Sequence, residues 1–388
     1  MRVLHLFANH KVTGPAELAL ETARALHARG VDARFYSSHV RTSKARDRWL
    51  QRLCRARGVP EAALDGVALR KHLNPLVAFF DVRRLARHLA RERFDLVHCH
   101  LPGDHHLAVG ALRRAGLTTP VVRTVYDDAP PSATRRNRAM LRATARVLAL
   151  SRAAGAGLRE RAADYGLHPD QVLDLDPPID TARFDPGRGV APCRAGGPGE
   201  ACLGIVARMQ THRRFEVLLE AVRRARAEVP ALRLVVVGRG TNQDVVAREP
   251  VKAMGLEDAV TFTGYVEGED YVGTLAGFDA KVFLVPGSDG TCRAVREALA
   301  MGVPVITSGV GILPELVRHE ETGLVLSPDP GVGELAAAMV RLAGDPALRA
   351  RWGAAARADA VARFSFPRFA ERVEAVYREV LGRAAASA

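Results

Sequence analysis

Short apolar runs and amphipathic stretches alternate along almost all of this chain, and that alternation leaves few folds open. RVLHLFA at 2–8 reads as a strand, and AELALETARALHARG at 16–30 as an amphipathic helix closed by Gly30. VDARFYSS is the next strand, and helical stretches around 43–57 and 75–92 follow it. DLVHCH (95–100), PVVRTVY (120–126) and RVLALS (146–151) are three more strands with helical segments between them. Strands that alternate with helices predict a mostly parallel sheet with right-handed crossovers.

The pattern then breaks and restarts. The segment 185–199, DPGRGVAPCRAGGPG, holds eight Gly or Pro residues in fifteen and reads as a linker. After it ACLGIVAR and LRLVVVG are strands separated by a helix at 213–228, and AVTFTG, AKVFLVP and VPVITS follow, each after a helical stretch. A chain of 388 residues is too long for one ordinary core. The expectation is therefore α/β, with two Rossmann-like doubly wound domains, 1–184 and 200–365, on either side of an interdomain cleft. The two halves are alike in architecture and not in sequence.

With 48% hydrophobic and 26% charged residues, the bulk of the chain is globular and not disordered. After Arg2 the apolar run is only six residues, too short for a signal-peptide core, and no stretch reaches the roughly 18 apolar residues of a membrane span. A cytoplasmic location is expected. The five cysteines, Cys54, Cys99, Cys193, Cys202 and Cys292, are odd in number and form no C-x-x-C pair, so neither a disulfide framework nor a zinc site is indicated. Charge is unevenly placed. Up to Asp185 there are 31 Lys+Arg against 19 Asp+Glu, and beyond it 25 against 24. The basic excess, densest at 41–57, 83–93 and 135–146, points to an anionic membrane face, an acidic acceptor or another polyanion, or else to a solvated Arg-rich surface.

Parallel sheets bind ligands beyond the carboxyl ends of their strands, so the loops there carry the candidates. The first, ANHKVTGPAE (8–17), places Gly14 at a helix N-terminus, where free amides favour anions; it contains no G-x-G-x-x-G. The second, VARMQTHRRFEVLLEA (206–221), has Arg208 just after a strand and Arg213 and Arg214 opening the next helix. Cations there oppose the helix dipole, a placement that makes sense if a diphosphate shares the spot. The third, VPGSDGTCRAVREALA (285–300), presents Asp289, Gly290 and Thr291 at a helix start, with Glu297 about two turns in. Such carboxylates accept hydrogen bonds from sugar hydroxyls. Asp289 alone reads equally as a helix cap, and Glu297 alone as a surface helix residue. His98 and His100 in VHCH raise zinc, but no third ligand lies near them in the sequence.

Together these residues resemble glycosyltransferase family 4, the large retaining group with the GT-B fold, most strongly over 201–327. Asp289 and Glu297 match the family's two acidic residues eight apart. Arg208 and Arg213 match its diphosphate-binding Arg and Lys. EALAMGVPVITSGVGILPELV, ETGLVLSP and IDTARF (179–184) also look like the family, and SFPRFAERVEAVYREVL resembles the helix, here about 366–384, that crosses back to the first domain. The chain departs from the pattern at Asp289, where Glu is usual, and at Gly290-Thr291-Cys292-Arg293-Ala294, which replaces Gly-Phe-Gly-Leu-Pro. It departs again at Arg213 and Arg214, which replace Lys and Gly, and at Tyr126, which stands where the family has a histidine.

The resemblance implies a retaining hexosyltransferase-like enzyme that needs neither metal nor cofactor. Its donor would be a nucleoside diphosphate sugar, its acceptor a saccharide or lipid-linked molecule, and its setting cell-surface polysaccharide or glycolipid synthesis. Arg208, Arg213 and helix amides would stabilise the leaving diphosphate. Gly14, Gly290, Thr291, Cys292 and Glu297 would contact the donor, and Asp289 the transferred sugar. His100, Tyr126 and Asp127 would face the acceptor. The basic first half would meet an anionic membrane. Two rival readings stand beside this one. A nucleotide-sugar epimerase shares the fold. A nucleic-acid binder fits the charge, although aromatics are only 5% of residues, with none of the aromatic–basic interleaving that stacks bases.

Overall fold

The computed structural model describes residues 1–38, 49–70, 75–197, 199–286 and 292–386. The chain divides into two compact units, Met1–Pro178 with Phe366–Ala388, and Ile179–Ser365.

The first unit runs β1 (Arg2–Phe7), α1 (Gly14–Ala28), β2 (Asp32–Ser37), α2 (Trp49–Ala56), α3 (Pro75–Glu92), β3 (Leu96–Cys99), α4 (Pro102–Ala115), β4 (Val121–Val125), α5 (Arg135–Arg142), β5 (Arg146–Ala149), α6 (Arg152–Glu160), α7 (Ala162–Tyr165) and β6 (Val172–Asp174). Its strands form a six-stranded parallel sheet in the order β2-β1-β3-β4-β5-β6. The chain steps from β1 outward to β2, then reverses to β3 on the other side. That reversal is the topological switch point, where the loops after β1 and β3 part and leave a crevice. Local chemistry sets the helix ends: Thr13 caps α1, accepting from the amide of Ala16, with Pro15 in the first turn, and Gly116 ends α4 in the left-handed region.

The second unit runs β7 (Ala201–Val206), α8 (Phe215–Arg226), β8 (Leu232–Val237), α9 (Glu249–Ala253), β9 (Val260–Gly264), α10 (Gly268–Ala276), β10 (Ala280–Phe283), α11 (Arg293–Ala300), β11 (Val305–Thr307), α12 (Leu313–Leu316), β12 (Gly323–Val325), α13 (Val332–Gly344) and α14 (Pro346–Phe364). The order β12-β11-β10-β7-β8-β9 puts its switch point between β7 and β10. The two faces of this sheet carry separate apolar layers. Leu203, Ile205, Leu218, Leu234, Val282 and Met339 belong to one, and Cys202, Val235, Val272, Val295, Leu299 and Phe364 to the other.

The last helix, α15 (Phe366–Ala386), belongs to the first unit, where Phe369, Val373, Val376 and Tyr377 pack with residues of α1 and β1. The boundary between units falls at Pro178, ahead of the Gly/Pro-rich segment. Residues 185–197 are packed on the second unit instead of linking two: the Cys193 amide donates to the Gly273 carbonyl at 2.8 Å, and Arg194 pairs with Asp279 at 2.6 Å. Ile179 joins the same unit, its amide donating to the Phe364 carbonyl at 2.7 Å.

Candidate functional site

In the second unit the switch point brings the loop after β7 (207–214) beside the loop after β10. Arg213 shows this contact: its Nη1 donates to the carbonyls of Val285 at 2.8 Å and Pro286 at 3.1 Å. The loop after β8 closes in from the other side. A Cβ on Gly238 would lie 2.2 Å from the Ala207 oxygen, and one on Gly240 would lie 2.0 Å from the Met209 oxygen, so only glycine permits these backbones to touch. Arg208 is exposed on the loop thus held.

The expected helix start at 213 is corrected by the structure. Thr211–Arg213 form a single 3-10 turn, and α8 opens at Phe215 with Arg214 capping it in the left-handed region, φ 58°. That turn of the backbone sends the two arginines apart. Arg214 points to the far side, ion-paired with Asp329 and donating to the Pro330 carbonyl at 3.1 Å, while Arg213 stays at the junction.

The helix after β10 also starts later than the sequence indicates. The cap position of α11 is Cys292, buried and left-handed at φ 44°, and the first helical residue is Arg293. Asp289, Gly290 and Thr291 lie outside the described residues. Glu297 is not a surface residue; it is 3% exposed, one turn into α11. Two donors hold its carboxylate. The Tyr271 hydroxyl, from α10, donates to Oε2 at 2.7 Å, and Arg293 Nε, one turn earlier on α11, donates to Oε1 at 2.6 Å. Burial first, and Glu297 next, push the Tyr271 phenol well above its usual range, so it remains a donor.

Beneath the first turn of α11 lies Lys281, from the middle of β10 and fully buried. Its Nζ donates to the Ala294 carbonyl at 2.6 Å. Burial lowers its pKa to about 7, opposed by the charge of Glu297 and by Cys292. Sequence reasoning missed Tyr271 and Lys281. Nothing in the sequence marks Tyr271, but a lysine inside the apolar run AKVFLVP is a visible anomaly.

In the first unit the switch-point loops are pinned by Asp104, in the first turn of α4. Its carboxylate accepts from the amides of Ala8 at 2.9 Å, His100 at 3.1 Å and Leu101 at 3.0 Å. Burial raises it to about 7, against the pull of Arg123 and those amides. Behind the loops is a cluster that no local spacing reveals. His5 on β1 and His98 on β3 are register partners, and His100 completes the set. His5 Nδ1 meets His100 Nε2 at 3.1 Å, His98 lies 2.5 Å from the Tyr377 hydroxyl and 2.7 Å from Thr124, and His100 Nδ1 lies 2.7 Å from the Tyr126 hydroxyl. Tyr377 also reaches His5 Nε2 at 3.5 Å. The fold thus supplies the third ring, His5, that the sequence did not place near His98 and His100. Every ring nitrogen of the three already has a protein partner, and burial holds all three rings neutral by lowering their pKa values.

Tyr126 is nearly buried and directs its hydroxyl at His100, while Asp127 beside it is exposed on the loop after β4. Gly14 opens α1, where an added Cβ would meet nothing within 4 Å; packing does not require glycine there.

Comparison with known proteins returns one family from both halves of the chain. Residues 12–183 match the model for "Glycosyltransferase Family 4", and residues 197–359 match that for "Glycosyl transferases group 1". A D-inositol 3-phosphate glycosyltransferase of Streptomyces scabiei is 33% identical over 298 residues, covering 69% of this chain and 64% of that protein. A GDP-mannose-dependent alpha-mannosyltransferase of Mycolicibacterium smegmatis is 35% identical over 186 residues, 48% of this chain and 45% of that one. The chain therefore spans less than two thirds of the length of either relative. Among solved structures, Anabaena Alr3699/HepE in complex with UDP superposes with a TM-score of 0.72 at 18% identity, over 98% of this chain and 100% of that one; at that identity the likeness speaks for the GT-B fold.

Proposed function

The chain belongs to glycosyltransferase family 4, and from that premise we propose that it is a retaining glycosyltransferase whose donor, a nucleoside diphosphate sugar, binds at the switch point of the second unit. The observation that carries this reading is the Arg213 guanidinium, fixed between the loop after β7 and the carbonyls of Val285 and Pro286. It puts a cation where the loops after β7 and β10 meet. Arg208 and Arg213 take the diphosphate and stabilise the charge that develops on it as the glycosidic bond breaks. Lys281 and Arg293 add positive charge around the start of α11, beside the carboxylate of Glu297.

Glu297 contacts donor hydroxyls. Its carboxylate is aimed before any ligand arrives, because Tyr271 and Arg293 hold one oxygen each. Asp289 faces the transferred sugar, and Gly290, Thr291 and Cys292 offer backbone contacts to the donor. Gly14 leaves a helix N-terminus open to approach. On the first unit, exposed Asp127 serves the acceptor, a saccharide or lipid-linked molecule, while the buried His100–Tyr126 pair, bonded to each other, holds the base of its loop. The enzyme works in the cytoplasm without a metal, at the inner face of a membrane. No helix among the described residues is long and apolar enough to cross one.

Thermal-shift measurements against UDP- and GDP-linked sugars test the donor assignment, followed by transfer of radiolabel from the stabilising donor to a saccharide or lipid acceptor. A specific donor should raise the melting temperature, and the product should keep the donor's anomeric configuration. Interconversion of the labelled donor without transfer would overturn the transferase reading in favour of an epimerase.

A further inference from the structure

Helix α3 carries a surface that the donor site does not use. Leu76, Phe79 and Phe80 are 75%, 52% and 53% exposed, three large apolar side chains within five residues. The two phenyl rings meet edge to face, 5.5 Å apart. The Arg83 guanidinium lies 3.4 Å from the Phe79 ring centre and that of Arg84 lies 6.0 Å from the Phe80 ring centre.

At 3.6 residues per turn, Leu76, Phe80, Arg83, Arg84, Arg87 and Arg91 fall along one stripe of α3, with Phe79 on its edge. Asp81, Leu85 and Leu89 are buried on the opposite side. The stripe is apolar at one end and cationic along the rest. Of the two carboxylates of the helix, only Glu92 touches the stripe, at its last arginine. Asp81 is buried and accepts from the amides of Ala68 and Leu69, and Glu92 is paired with Arg2 at 2.9 Å and reaches Arg91, at the end of the stripe, at 3.4 Å. A shallow groove lined by Arg83, Arg87 and Arg114, with Ala86, Ala90 and Ala115, runs beside the stripe, so α4 adds a further guanidinium.

An apolar edge bordered by arginines, whose one adjoining acid is shared with Arg2, matches one partner chemistry: a bilayer surface rich in anionic headgroups, apolar below and phosphate above. We propose that α3 docks the protein on such a membrane, with Leu76, Phe79 and Phe80 entering the headgroup boundary and Arg83, Arg84, Arg87 and Arg91 on lipid phosphates. Arginine suits both tasks, because its stem lies along apolar surface while its head stays at the phosphate level. This deepens the proposed function, since a membrane-side acceptor is what such docking would serve.

Flotation of the full chain tests it, with vesicles of phosphatidylcholine alone and vesicles containing phosphatidylglycerol. Wild type should float with the anionic vesicles and sediment with the neutral ones. Arg84→Gln/Arg87→Gln/Arg91→Gln should lower partitioning by roughly a hundredfold, at about 1 kcal/mol per arginine near the surface. Phe79→Ser/Phe80→Ser should lower it at high and low salt alike. Phe80→Trp should shift its emission to the blue only with anionic vesicles, a sign of insertion that a purely electrostatic film would not give. These side chains are exposed, so the variants should melt as wild type does. Equal recovery of wild type with both vesicle types, or wild-type flotation by both multiple variants, would overturn the proposal; so would loss of flotation accompanied by loss of folded protein. Flotation needs no donor. A chain that floats but transfers no sugar would refute the enzyme reading and leave this one standing, and a transferase that never floats would do the reverse.

Discussion

Replacing Lys281 by Met should make the protein more stable, and the gain should fade as pH rises. The amine is fully buried, with its Nζ on the Ala294 carbonyl, and its pKa falls from the ordinary 10.5 to about 7 because burial penalises the charged form. At 1.36 kcal/mol per factor of ten, the penalty on the native cation is roughly 5 kcal/mol as an upper bound. Below pH 7 the lysine is charged in both states and the full cost is present. Between pH 7 and 10.5 the native state gives up its proton while the unfolded chain keeps it, so the cost declines; above 10.5 it is gone. Methionine fills a similar volume without the charge but loses the hydrogen bond, a return of about 1 kcal/mol. Lys281→Met should therefore exceed wild type by roughly 2–4 kcal/mol at pH 6 and fall about 1 kcal/mol below it above pH 10.5, where only the lost hydrogen bond remains. Urea unfolding of both proteins across that range measures the difference. A difference that stays constant with pH would refute the buried-cation argument. The same variant removes positive charge from beneath α11. Nucleoside diphosphate should then bind more weakly by roughly 1 kcal/mol at pH 6, the scale of one charge acting over about 10 Å at an effective dielectric near 30. Calorimetry at pH 6 and above pH 8 reads this loss, which should shrink at the higher pH.

Arg213→Ala should weaken nucleoside diphosphate binding by roughly 1.5–3 kcal/mol, as for a charged hydrogen bond, and unaltered calorimetric binding would reject the clamp. Tyr271→Phe removes one donor from Glu297 at a cost of about 1 kcal/mol, expected as a raised KM for the donor with little change in kcat; an unchanged KM would mean that the phenol does not position the carboxylate. Glu297→Gln keeps the helix, since Gln and Glu have similar propensities, yet should lose donor affinity, because an amide accepts less well from paired hydroxyls. Asp289→Asn should lower turnover more than diphosphate binding, and wild-type kinetics in both acidic-pair variants would withdraw the match of that pair to the family.

The alternation of strand and helix was legible because both faces of a parallel sheet are covered, which makes its strands continuous apolar runs. Most of the ten expected strands stand out in this way, and the edge strand β9 by its alternation of apolar and exposed residues. The two strands not expected, β6 and β12, are three residues each at sheet edges, too short for any periodicity to register. The Gly/Pro-rich segment misled for a different reason. Composition reports how freely a backbone can bend, not what it lies against, and the bonds from Cys193 to Gly273 and from Arg194 to Asp279 are made to residues some eighty positions away. Helix starts at the donor site shifted because Arg214 and Cys292, neither a glycine, take left-handed caps that no propensity assigns to them.

What the sequence did contain, and what strand order makes readable, is the polar residue inside an apolar strand. A strand buried on both faces admits His or Lys only if the fold supplies a partner, because an unpaired buried polar group costs several kcal/mol. His5 in RVLHLF, His98 in LVHC and Lys281 in AKVF are such residues. Their partners differ in reach. Lys281 finds its carbonyl thirteen residues on, whereas His5 and His98 are brought into register across 93 residues, and Tyr377 reaches them from the last helix. All three sit on strands that flank a switch point, β1 and β3 in one unit and β10 in the other. A switch-point strand ends at the crevice, so groups that stiffen it also hold the loops that must present ligand-binding atoms. In both units the polar cost inside the sheet is thus borne next to the place where fixed geometry is needed.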